Sequence, residues 1–64
     1  MTIKEAKARI RPLGLVLRND IEAGEYRVNY RGGREATAYY TNDLDDAVNT
    51  AQAMATWRDE RAGR

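Results

Sequence analysis

Seven residues, Glu25-Tyr26-Arg27-Val28-Asn29-Tyr30-Arg31, alternate polar and apolar without a break, and Gly32-Gly33 follows them at once. A period of two marks a strand with one buried face, because successive side chains leave a pleated backbone on opposite sides. Tyr26, Val28 and Tyr30 therefore form an inner face, and Glu25, Arg27, Asn29 and Arg31 an outer one. The run from Glu35 to Thr41 alternates as well, with Ala36, Ala38 and Tyr40 against Glu35, Thr37, Tyr39 and Thr41. A glycine pair between two such runs marks a hairpin.

Loop length then decides the register. A two-residue turn at Gly32-Gly33 would set Arg31 opposite Arg34 and Val28 opposite Thr37, leaving the apolar residues of the two strands on different faces. A three-residue loop, Arg31-Gly32-Gly33, with Gly33 left-handed and a bulge beside it, pairs Tyr30 with Arg34, Val28 with Ala36 and Tyr26 with Ala38. This bulged loop is the expected arrangement, since a slip of one residue turns the core face of a strand toward water.

The flanking segments read as helices and one further strand. Thr2 and Glu5 have the spacing of a capping box, which starts a short helix carrying Ile3, Ala6 and Ile10; Pro12 disfavours helical geometry at Arg11 and ends it near Ile10. Leu13 to Arg18 suits a strand, with Gly14 as a bend, and Asn19 to Gly24 reads as a loop from which Ile21 is expected to fold back onto the core. Thr41, Asn42 or Asp43 can cap a second helix, with Asp45 and Asp46 in its first turn complementing the dipole. Leu44, Ala47, Val48, Ala51, Met54 and Ala55 follow the spacing of a buried helical stripe, Trp57 lies at its edge, and residues 59–64 form a charged tail expected to fray. The expected fold is a single α+β domain over residues 1–64. Its order is α-β-β-β-α: a three-stranded antiparallel sheet packed on one face by the long C-terminal helix, with the short N-terminal helix beside it.

Sixty-four residues hold one core, and a chain of this size buries only about 60% of the surface its unfolded form exposes. The chain has neither cysteine nor histidine. Disulfides, the usual zinc ligand sets and nucleophile–base pairs built on either residue are therefore excluded, and the expectation is a non-enzymatic protein without a metal or small-molecule cofactor. Asp43, Asp45 and Asp46 are explained by helix capping, and Gly32-Gly33 matches neither a Walker loop nor a dinucleotide fingerprint. No run approaches the roughly 20 apolar residues of a membrane span, and the N-terminus has no leader pattern; no membrane association and a cytoplasmic location are expected.

Charge is uneven along the chain. Residues 1–34 carry eight Lys or Arg against four Asp or Glu, whereas residues 35–64 carry three against six. Nine of the eleven basic residues are arginine, the side chain suited to bidentate contacts with phosphates, carboxylates and base edges. On the expected register, Arg27, Asn29, Thr37 and Tyr39 project from the outer sheet face, Arg18 joins from the first strand, and Arg31 and Arg34 flank the turn. Arginine and asparagine read base edges, tyrosine and threonine bond phosphate, and a β-ribbon enters the major groove. The same residues also make an ordinary solvated sheet face with Glu25 and Glu35 as ion partners, and an exposed tyrosine among arginines is an interface anchor too.

The α-β-β-β-α order resembles that of the double-stranded-RNA-binding domain, and Leu15 to Ala55 is similar in topology to the three-strand-plus-helix modules of plant ethylene-response factors and integrase arm-binding domains. The latter resemblance implies a sheet laid in the major groove, with Arg27, Asn29 and Arg31 toward DNA. Where the duplex-RNA family has a lysine cluster at the start of its second helix, this chain has Asp43-Leu44-Asp45-Asp46. Glu25 to Gly33 and Ala36 to Ala47 also resemble short uncharacterised proteins of proteobacterial genomes, prophages and other mobile elements, which implies a phage-type role and transfers no activity. The leading expectation is a binding module for DNA or RNA through the sheet face. The alternative is a protein-interaction module or small phage-type inhibitor, with a homodimer among its candidate assemblies.

Overall fold

The computed structural model describes residues 1–62 and has the expected α+β order. Helix α1 spans Ile3–Ile10, strands β1 and β2 span Leu15–Asp20 and Glu25–Tyr30, strand β3 spans Tyr39–Thr41, and helix α2 spans Leu44–Ala62. Short 3₁₀ turns occupy Arg11–Leu13 and Glu35–Thr37. The strands form an antiparallel meander in the order β1-β2-β3. Both helices lie on one face of it, α2 over β2 and β3, with α1 beside it over β1.

Local chemistry accounts for most boundaries. The Thr2 hydroxyl accepts from the Glu5 amide at 3.2 Å and the Glu5 carboxylate accepts from the Thr2 amide at 3.3 Å, so both halves of the capping box are made. Pro12 sits in the 3₁₀ turn that ends α1, and Gly14, at φ 80°, bends the chain into β1. Asp43 caps α2, its Oδ1 accepting from the amides of Asp45 at 2.9 Å and Asp46 at 3.4 Å. The expected stripe is inward throughout: Ala47, Val48, Ala51, Met54 and Ala55 are buried, and Leu44 packs against them. Ala6, Ile10, Leu15, Leu17 and Val28 complete the core. Alanines at 6, 47, 51 and 55 bring the helix backbones close to their neighbours, and the rings of Tyr26 and Tyr30 fill the flanks.

Three expectations are corrected. Ile21 does not fold back; it stands 85% exposed in a tight turn closed by Ala23 N–H to Asp20 Oδ1 at 3.1 Å and Gly24 N–H to Ile21 O at 3.3 Å. The Asp20 carboxylate and the Ile21 carbonyl close this turn on itself, leaving no slack to carry Ile21 inward. Strand β1 is Leu15–Asp20 and not Leu13 to Arg18, because Leu13 is taken up in the 3₁₀ turn after α1; helix α2 runs to Ala62, and residues 63–64 lie outside the described residues.

The third correction is the largest. Strand β2 pairs with β3 as Tyr26 with Thr41, Arg27 with Tyr40 and Val28 with Tyr39, so Ala36 and Ala38 are loop residues and not strand partners of Val28 and Tyr26. The connection is a long loop, residues 31–38, in place of a three-residue bulge. Gly32, at φ 71°, is the left-handed glycine, and Gly33 is not. With Gly33 N–H donating to Tyr30 O at 2.9 Å, residues 30–33 have the pattern of a type II turn. Two alanines bury too little apolar surface to hold a strand in register, whereas the ring of Tyr39 gains contact only if it reaches α2.

Candidate functional site

On the outer sheet face, Val16 lies beside Asn29, Arg18 beside Arg27, and Arg27 beside Tyr40. Two of the expected contact residues are already spent there. Asn29 is 1% exposed. Its Nδ2 donates to Arg34 O at 2.9 Å, while its Oδ1 accepts from Tyr30 N–H at 2.8 Å and from the Thr37 hydroxyl at 2.7 Å. Tyr30 lies beyond the last β2–β3 pair, so its backbone amide and carbonyl have no strand partner; Asn29 Oδ1 and Gly33 N–H supply them. Asn29 thus replaces a missing piece of β3 and holds the loop against the sheet.

Arg27 is neutralised in place. Its Nε and Nη2 donate to Glu35 Oε1 at 3.3 and 3.1 Å, and the Tyr40 hydroxyl donates to Glu35 Oε2. Both carboxylate oxygens are used. The tyrosine bond, then the arginine, hold the Glu35 carboxyl below the usual carboxylate range, and the same bond pushes the Tyr40 phenol up. Arg18 remains exposed on this face and Arg34 on the loop.

Tyr39 is on the opposite side from the one expected. It shares the inner face with Val28, and its hydroxyl donates to Asp46 Oδ2 in the first turn of α2 at 2.6 Å. This bond lowers the Asp46 carboxyl and raises the Tyr39 phenol. Tyr40 is the tyrosine that points outward.

A second surface, unforeseen from the sequence, opens between the loop and α2. It is a groove of about 1020 Å³ with Tyr30, Arg31, Thr37, Ala38 and Tyr39 along one wall and Asn49, Thr50, Ala53, Met54, Trp57, Arg58 and Arg61 along the other. Its origin is a mismatch of lengths. Nineteen helical residues run about 28 Å at 1.5 Å per residue, against about 20 Å for a six-residue strand such as β2. The buried stripe accordingly stops at Ala55, and Trp57, one turn past Met54, is 55% exposed. At this end Arg58 is a tether: Nη1 donates to Leu13 O at 2.7 Å and Nε to Asp59 Oδ1 at 3.1 Å. Arg31 and Arg61 are in no ion pair among the described residues. The Arg31 backbone amide, donating to Gly14 O at 3.2 Å, fixes the turn to the start of β1.

Among the described residues no Asp or Glu lines the groove, although three arginines do. Asp46 is bonded to the Tyr39 hydroxyl, and Asp59 to Arg58 Nε. The groove lining therefore combines three arginines, of which Arg58 is paired with Asp59, three aromatic side chains and the apolar residues Ala38, Ala53 and Met54.

Of the seven residues expected to bind, the structure brings Arg31, Thr37 and Tyr39 to this groove; Arg18 and Arg27 stay on the outer sheet face, Arg34 is on the loop, and Asn29 is inside it. Trp57, Arg58 and Arg61 were missed. Their signal was present in the sequence, since Met54, Trp57 or Arg58, and Arg61 extend the helical spacing of the buried stripe beyond the length of sheet available to cover it. No family model, curated protein or solved structure matches this chain. Function is therefore argued from the site alone. No helix among the described residues is long and apolar enough to cross a membrane.

Proposed function

We propose that this chain is a non-enzymatic binding module for nucleic acid, with the groove between residues 31–39 and α2 as its contact surface. The observation that carries this reading is the separation of charge: Arg31 and Arg61 line the groove without an ion pair among the described residues, whereas Arg58 beside them is held by Asp59 and Leu13 O, and Arg27 on the sheet face is cancelled by Glu35. Arginine beside exposed tyrosine and tryptophan is the combination that holds a phosphate backbone and its bases together. The sheet face expected to bind becomes a supporting surface, with Arg18 and Arg34 able to extend the phosphate track.

A fluorescence-anisotropy titration at about 50 mM salt tests this. Saturable binding is expected, with log K falling against log salt at a slope of about −1.4 for the phosphates neutralised by Arg31 and Arg61 on a single strand. Arg31→Ala or Arg61→Ala is expected to reduce that slope by about 0.7. Absence of saturable binding, or a flat salt dependence, overturns the proposal.

A protein partner is the second reading, favoured by one observation: Ile21, 85% exposed, and Trp57, 55% exposed, are large apolar side chains without cover. Light scattering after size exclusion separates a homodimer from a monomer, and a pull-down addresses other partners.

A further inference from the structure

Resting on that reading, we infer that the groove takes a single strand, with one unpaired base stacked on Trp57 and the flanking phosphates held by Arg31 and Arg61. Three features of the groove point to an exposed base in preference to a paired one. Its lining carries apolar surface at Ala38, Ala53 and Met54 as well as the arginines. A phosphate lying on such surface would lose its water without gaining a donor, whereas the flat face of a base gains by leaving water. A duplex keeps its base faces inside the stack and offers a concave site only its charged exterior.

The second feature is the placement of Trp57. It is more than half exposed, yet it projects from α2 into the wall of the groove beside Met54. An indole in this position contributes little to the core, whose last members are Met54 and Ala55, and is accessible to whatever enters the groove. The third is size. At about 1020 Å³ the groove slightly exceeds the roughly 300–1,000 Å³ range of pockets that enclose a drug-sized ligand, which leaves room for a short stretch of nucleotides.

Trp57 is the sole tryptophan in the chain, so its emission reports the groove directly. The decisive experiment titrates the full chain with a twelve-nucleotide oligodeoxythymidylate, the matching oligouridylate and a twelve-base-pair duplex, following Trp57 fluorescence and anisotropy in parallel. Both single strands are expected to quench Trp57 saturably and to bind more tightly than the duplex. Trp57→Ala is expected to weaken single-strand binding about tenfold or more, while Trp57→Phe, which keeps a flat ring, recovers most of it. Equal affinity for duplex and single strands, with Trp57 unquenched and Trp57→Ala without effect, overturns the stacked base; the groove reading survives that result if Arg31→Ala still weakens binding. No binding to any of the three probes overturns both.

Discussion

Two regions of this molecule carry arginine beside tyrosine, and they are in opposite states. On the outer sheet face, Arg27 and Tyr40 converge on one carboxylate, Glu35, and Asn29 is committed to the loop that packs over it. In the groove, Arg31 and Arg61 are in no ion pair among the described residues, Asp46 is turned to Tyr39 and Asp59 to Arg58. Composition alone makes these surfaces equivalent. What separates them is whether the protein has already satisfied its own donors, because a guanidinium or amide bonded internally must break that bond before it contacts anything else.

The comparison breaks first at Asn29. Asn29→Ala is expected to destabilise the protein by about 2 kcal/mol, because it leaves the part-buried Tyr30 N–H without its acceptor and removes the Asn29 tie to the loop, although the Arg34 carbonyl keeps the Thr37 amide at 3.0 Å. Urea denaturation measures the loss. A change below about 0.5 kcal/mol, the scale of an ordinary surface substitution, would mean that the loop is not held there and the outer face is as open as the groove. Gly33→Ala comes next, at about 1 kcal/mol or more. A Cβ on Gly33 would lie 2.7 Å from Asn29 Oδ1 and 3.0 Å from Tyr30 O, so the cost arises from close approach and not from a left-handed backbone. Gly32→Ala, at φ 71° in open space, is expected to cost about 1 kcal/mol by backbone strain alone. In double-mutant cycles Gly33→Ala should couple to Asn29→Ala, its clashing atom removed, and Gly32→Ala should add independently.

A smaller effect is expected from pH. Glu35 and Asp46 have folded-state values below their ordinary ones, so the stability each contributes is present above the usual carboxylate range and is lost as pH falls through it. Tyr40 and Tyr39 are raised, so their contribution is present below the ordinary phenol value of 10.0 and is lost as pH rises beyond it. Tyr40→Phe should flatten both limbs through the sheet-face pair and Tyr39→Phe through the groove-side pair, as followed by melting temperature against pH. If only one variant flattens the profile, the two hydroxyl–carboxylate pairs are not equivalent. The smallest expected effect is from Arg18→Ala: no measurable change in stability, and a weaker influence on nucleic-acid affinity than Arg31→Ala in the same titration.

The elements themselves were legible because each is announced locally: Thr2 with Glu5, Pro12, the alternation from Glu25 to Tyr30, Asp43, and the stripe from Leu44 to Ala55. The site was less so. Arg31, Thr37 and Tyr39 were named as contacts, but their placement depended on a register that Ala36 and Ala38 were too small to specify. Asn29 was the available warning, since asparagine is depleted in strands and its amide readily bonds nearby backbone groups.

What the amino-acid sequence by itself determined is therefore the inventory: two helices, an antiparallel sheet, the inward set on α2, and an excess of arginine toward the first half. Periodicity and capping act within a few residues and need no knowledge of distant partners. Only the tertiary structure decided which arginines are available. That depends on Glu35 reaching Arg27 across eight positions, on Arg58 reaching Leu13 across forty-five, and on α2 outrunning the sheet so that Trp57 and Arg61 meet the Arg31 turn. Those pairings are long-range, and a hydrogen bond between residues far apart in the chain leaves no period in the sequence to read.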